Sequence, residues 1–234
     1  MNPAAGSAEG TGAPGRNAVP ETHIAQVIGD LAHELVNPLN AAAMSTELAK
    51  LMLARGQYDK AGEALDRIRG DCMRCARILR DAQDYLTVAI GQREPGIDPV
   101  APLDEAIKML SDRGEIVSDA ASGAYSVHGD PTALRRLFTE LLRNAFDHGA
   151  SRIEIHADRA HDNLRVRIAD NGPGIQPIHL PRVFDPFFST RRDQHSGVGL
   201  ATARRIAQAH GGSLDAESTG SGAVFVVRLP IGTE

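Results

Sequence analysis

LRVRIADNGPGI (residues 164–175) changes character halfway along. Leu164, Val166 and Ile168 alternate with Arg165, Arg167 and Ala169, the period-two pattern of a strand with one buried face. The run then meets Asp170-Asn171-Gly172-Pro173-Gly174, whose Asn-Gly and Pro-Gly pairs favour a turn. Two glycines beside an aspartate also let backbone approach a flat ligand, with the carboxylate accepting a hydrogen bond from an exocyclic amine. A plain turn and a ligand loop are both open from this stretch alone.

Working outward, Arg152 to Ala157 reads as a second strand, Asn163 to Ala169 as the one just described, and Ala223 to Leu229 as a last one. Asp130-Pro131 has the form of an N-cap and first helical position, opening a helix that runs to about Asp147 with Gly149 as its stop. Another helix spans Leu200 to His210 and closes at Gly211-Gly212. Leu103 to Leu110 suggests a helix, and Glu115 to Val117 and Tyr125 to Val127 suggest short strands. Helices alternating with mixed strands predict an α/β sandwich.

The chain before this region is different. Residues 22 to 55 read as one helix, on the order of 50 Å long, in which Ile24, Ile28, Leu31, Leu35, Pro38 and Ala42 form a seam. Gly56 and Gln57 interrupt it, and Tyr58 to Ile90 resume the pattern through Ala64, Ile68, Cys72, Cys75, Ile78, Leu79, Ala82 and Leu86. So short a connection implies an antiparallel hairpin, and two helices alone bury too little, so the expectation is a homodimer forming a four-helix bundle. The Gly- and Pro-rich segment 91 to 102 reads as a linker. The expected division is a disordered tail over 1–20, a helical unit over 21–92 and the α/β unit over 97–234.

Composition narrows the function classes. A net charge of -5 with 24% charged residues gives no basic surplus for nucleic acid or a membrane surface. Aromatics are only 4%, so the cores must be aliphatic. No run nears the roughly 20 apolar residues of a membrane span, and the first twenty residues lack the charged start and apolar run of a signal peptide. These features lead to the expectation of a cytoplasmic protein. Cys72 and Cys75 are too few for a disulfide framework and read as packing residues at i and i+3; redox sensing across a dimer is the alternative.

Three further segments carry chemistry. Glu140 and Asn144, at i and i+4, share the face opposite Leu134, Phe138, Leu141 and Ala145. Asn144 is either a satisfied polar residue or a hard oxygen ligand for magnesium. VFDPFFST (183–190) gathers Phe184, Phe187 and Phe188 in a polar loop, as core residues or as a lid that docks through its aromatics. SGVGLATARRI sets Gly197, Gly199 and Leu200 at a helix start, where unpaired N–H groups suit phosphate. It follows RRDQHS rather than a strand, which rules out a dinucleotide-binding fingerprint, and no Walker element occurs.

In order, Asn144, the DNGPGI loop, the Phe-rich segment and the Gly-x-Gly-Leu helix start resemble the ATP-binding domain of sensor histidine kinases, over about residues 97 to 231. HELVNP (33–38) is similar to the phosphoacceptor box of the same family. The resemblance implies that Asn144 coordinates the Mg2+ of ATP, with Glu140 also at the metal, and that Asp170 recognises the adenine amine in a pocket shaped by Gly172 and Gly174. It implies that Gly197, Gly199 and Leu200 lie by the phosphates, with Phe184, Phe187 and Phe188 in the lid and Arg191 as a phosphate contact. Glu140 stands where the family frequently has a second asparagine, and related ATPases use a glutamate there to activate water. Ala201 stands in place of a further glycine.

The same resemblance makes His33 the phosphoacceptor. Imidazole is a good nucleophile near neutral pH, Glu34 can hold its other nitrogen, and Asn37, one turn on, would orient water for dephosphorylation of a partner. Pro38 removes one helical hydrogen bond and invites a kink. The implied function is a dimeric histidine kinase that autophosphorylates His33 from Mg-ATP and passes the phosphoryl group to an aspartate of a response-regulator receiver domain. No sensor domain is visible, so the signal would arrive through a separate sensor or upstream partner, or through the bundle itself. The rivals are a phosphotransfer relay that does not use ATP, and an ATPase or serine kinase sharing only the fold.

Overall fold

The computed structural model describes residues 21–87, 93–191 and 196–232. The tail over 1–20, the end of the second helix beyond 87 and the start of the linker lie outside the described residues. Two helices come first, α1 (Glu21–Ala54) and α2 (Tyr58–Leu86). Their connection is a glycine-closed helix end: Gly56 has φ +71°, Gln57 N–H donates to the Met52 carbonyl and Gly56 N–H to that of Leu53. The chain therefore reverses within a few residues, and α1 and α2 pack as a hairpin. Helix α1 runs through Pro38, which is buried.

Within one chain, the inward face of α1 differs from the seam expected from its sequence. Val27, Glu34, Pro38 and Ala49 are buried, whereas Ile28 is 54% exposed. Leu39, Leu65, Leu79 and Leu86 are also exposed, as is Cys72, while Cys75 is half-buried. The reason is geometric: a two-helix hairpin covers one stripe of each helix, and Cys72 belongs to the other. Burial raises the Cys75 thiol above its usual value, with Cys72 and Asp71 adding to the effect.

The rest of the chain forms β1 (Glu94–Ile97), α3 (Val100–Leu110), β2 (Glu115–Ser118), β3 (Val127–Gly129), α4 (Pro131–Asp147), β4 (Arg152–Ala160), β5 (Asn163–Asp170), α5 (Gly199–Ala209), β6 (Ser213–Ser218) and β7 (Ala223–Pro230). The sheet order is β2-β4-β5-β7-β6, parallel between β2 and β4 and antiparallel elsewhere. A short antiparallel pair, β1 with β3, lies apart from it. Thus part of the expected linker is a strand, and β6 joins the sheet although only Leu214 of its residues is fully buried.

Alternation explains which face is covered. Ile153 and Ile155 on β4, and Leu164, Val166 and Ile168 on β5, join one core with Leu134, Leu137, Phe138 and Leu141 of α4 and Ile206 of α5. Each such side chain contributes about 1.5–3 kcal/mol on burial. Asp130 caps α4 by accepting from Thr132 and Ala133 N–H, at 2.8 and 3.2 Å. His210 ties α5 to that cap. Its Nε2 accepts from Asp130 N–H at 3.0 Å, and its Nδ1, 2.8 Å from the Ile206 carbonyl, is then the protonated nitrogen. Among the described residues, no helix is long and apolar enough to cross a membrane.

Candidate active site

Helices α4 and α5 leave a cavity of about 620 Å³ between their ends and the loops after β5. Glu140, Asn144, Gly174, Phe188, Arg191, Gly197, Gly199 and Leu200, all singled out from the sequence, line it. Asn144 is half-buried, one turn from Glu140. The Glu140 carboxylate accepts from Arg143, and burial raises its pKa against the pull of Arg143 and Arg136.

Space and backbone conformation require glycine at position 197, while at position 199 the neighbour is a movable carboxylate. At Gly197, φ is +73° and an added Cβ would sit 2.5 Å from the Phe188 carbonyl oxygen. At Gly199 the conflict would be with Glu140 Oε2, at 2.6 Å. Helix α5 therefore starts flush against α4, and its N-cap residue Val198 supplies no side-chain acceptor for the first amides.

Asp170 and Gly172 lie just outside the lining. Asp170 Oδ1 accepts from Gly172 N–H at 2.8 Å and Ala223 N–H at 3.2 Å, which fixes the carboxylate behind the loop. The three phenylalanines separate. Phe184 packs edge-on to Phe225 with Arg204 over its other side. Phe187, at φ +63°, is buried against the hairpin, and only Phe188 faces the cavity. Arg191 donates from Nη1 to the Asp147 carbonyl at 2.6 Å.

The hairpin side of the site was not legible from the α/β unit. Val27, Ile78, Ala82 and Tyr85 pack with Phe187, Val198 and Ala201, and Leu31 and Leu35 flank them. Arg77 and Asp81 of α2 thereby reach the cavity wall. His33 is on the same stretch of α1 but exposed and outside the lining, as is Asn37, whereas Glu34 is 8% exposed. No cluster of three or more His, Cys, Asp or Glu suited to a metal occurs among the described residues. A magnesium ion would thus depend on the Asn144 oxygen, nucleotide phosphates and water, an arrangement ordinary for that ion.

Both parts of the chain are similar to known families. Residues 129–233 match the family described as histidine kinase-, DNA gyrase B- and HSP90-like ATPase, and residues 24–87 match the His Kinase A (phospho-acceptor) domain. The sensor protein FixL of Bradyrhizobium diazoefficiens is 33% identical over 220 residues, covering 87% of this chain and 43% of the relative. The signal transduction histidine-protein kinase AfsQ2 of Streptomyces coelicolor is 30% identical over 219 residues, covering 87% and 41%. The chain thus spans less than half the length of these relatives. Among solved structures, full-length ShkA in complex with AMPPNP has a TM-score of 0.60 at 22% identity, covering 93% of this chain and 47% of that one. The Acinetobacter baumannii histidine kinase AdeS has a TM-score of 0.57 at 19% identity, covering 86% and 98%.

Proposed function

The chain belongs to the sensor histidine kinases, carrying their phosphoacceptor and ATP-binding domains, and on that premise we propose that it autophosphorylates His33 from Mg-ATP. The phosphoryl group then passes to an aspartate on a response-regulator receiver domain. The observation that carries this reading is a single cavity joining Asn144 to the α5 start, walled by the hairpin whose other helix bears the exposed His33.

Adenine would enter beside Gly174; Asp170 lies just outside the lining with Oδ1 held by two backbone amides, so the exocyclic amine would reach that carboxylate once the nucleotide parts the loop. The phosphates would lie at the amides of Gly199 and Leu200, with the helix dipole behind them. Asn144 would hold the metal, which supplies charge neutralisation at the transferring group. His33 lies outside the cavity, so the ATP-binding domain must shift along the hairpin before transfer. Glu34, buried in the hairpin here, would then turn toward His33 to accept the imidazole proton, and Asn37 would orient water when a phosphorylated regulator is dephosphorylated. Dimerisation through the exposed stripe containing Leu65, Leu79 and Leu86 completes the four-helix bundle.

A second reading, direct ATP hydrolysis, is favoured by one feature: Glu140 lines the cavity beside Asn144. Incubation with γ-labelled ATP and magnesium separates the readings. Acid-labile label on wild type, lost in His33→Ala and Asn144→Ala, supports the kinase. Phosphate release that is indifferent to His33→Ala supports hydrolysis.

A further inference from the structure

We propose that Arg77, on the phosphoacceptor hairpin, contacts the terminal phosphates of the nucleotide, so that ATP binds across both domains in this docked arrangement and holds it until the shift that brings His33 within reach; this rests on the reading of the cavity as a nucleotide site. The placement follows from packing. Ile78 and Ala82 of α2 share one buried cluster with Val198 and Ala201, the two residues that bracket the start of α5. Arg77 and Asp81 immediately precede Ile78 and Ala82, and both line the cavity, as Gly199 does. Being i and i+4, they share one face of α2.

Glu140, whose Oε2 an added Cβ at Gly199 would meet at 2.6 Å and which stands one turn from Asn144, lines the same cavity. Asp81 is near enough to Glu140 to raise its pKa further. In that setting a guanidinium is the group able to meet phosphate, with bidentate geometry and a charge that does not titrate.

The test is titration calorimetry on the full chain with ATP, ADP and AMP in magnesium buffer. Arg77→Ala should weaken ATP about tenfold and leave AMP unchanged, and Arg77→Lys should recover part of the loss. Arg80→Ala removes the same charge from an exposed position, where the Arg80 side chain donates to the Ala76 carbonyl, and should leave ATP affinity unaltered. Equal ATP affinity in wild type and Arg77→Ala would overturn the proposal while leaving the nucleotide site standing. So would an equal loss for ATP and AMP, since that reports a general change of the pocket. If wild type binds none of the three, the nucleotide reading falls, and the proposal with it.

Discussion

Arg205 of α5 grips Tyr85 of α2 twice: its Nη1 donates to the Tyr85 carbonyl at 2.6 Å, and its guanidinium lies 5.2 Å from the ring centroid. The carbonyl belongs to the last turn of α2, where a cation also complements the helix dipole. Since Tyr85 is 4% exposed, the contact is shielded from water. Arg205→Ala should cost about 1.5 kcal/mol of docking energy, raising the undocked population roughly tenfold. Distance measurements between spin labels on α2 and on β4 would read it as a broadened distribution; an unchanged distribution would mean that the apolar contacts alone hold the domains.

Gly197→Ala combines a left-handed backbone with a collision against the Phe188 carbonyl. The conformation alone costs about 1–2 kcal/mol, or roughly 3–6 °C in Tm for a chain of this size. Relieving the collision would shift the segment carrying Phe188, so nucleotide affinity should fall as well. Gly62→Ala is the contrasting variant: it is exposed in mid-helix with nothing within 4 Å of a new Cβ, and should gain about 0.5–1 kcal/mol. Thermal melts with and without nucleotide check both.

His210 should make stability depend on mild acid. Burial lowers its pKa below the ordinary 6.5, aided by Arg93 and His128 and opposed by the Ile206 carbonyl and Asp130. The unfolded chain then binds the proton more readily, so the contribution is complete above 6.5 and is lost as pH falls through the folded value. Protonation would also set a second ring N–H against Asp130 N–H. Wild-type Tm should decline more steeply below about pH 6.5 than that of His210→Gln, although the variant is less stable at pH 8. Parallel curves would contradict this.

Glu140 has the opposite sign. Its pKa is raised from 4.5 by burial, so stability is complete below that value and falls as pH rises through the folded one. The Tm of Glu140→Gln relative to wild type should therefore rise between about pH 4.5 and 8. If Arg143 and Arg136 outweighed burial, the trend would reverse.

Much of the α/β unit was legible because its elements are periodic or punctuated. The alternation over 164–168, the Asp130-Pro131 cap and the Gly149 stop each reflect local chemistry. Strand β6 was not legible: Ser213-Leu214-Asp215-Ala216-Glu217-Ser218 offers one large apolar residue, and its pairing with β7 supplies the rest. The cavity-lining glycines stood out because close approach leaves a glycine behind. The distribution of the three phenylalanines did not, since adjacent aromatics in a loop carry no period to say which way each faces. Arg77 and Asp81 were hidden for a further reason. On α2 they are ordinary polar residues, and only the docking of Val198 and Ala201 on Ile78 and Ala82 turns them into a wall of the site.

In the proposed reaction, phosphate reaches His33 from a nucleotide held by Asn144. The most direct measurement is phosphorus NMR of the full chain after Mg-ATP, with the modified residue assigned by tandem mass spectrometry at neutral pH. A phosphoramidate on His33 in wild type, absent from Asn144→Ala, is the expected result. ATP consumed with His33 unmodified, or phosphate found on another residue, would contradict it.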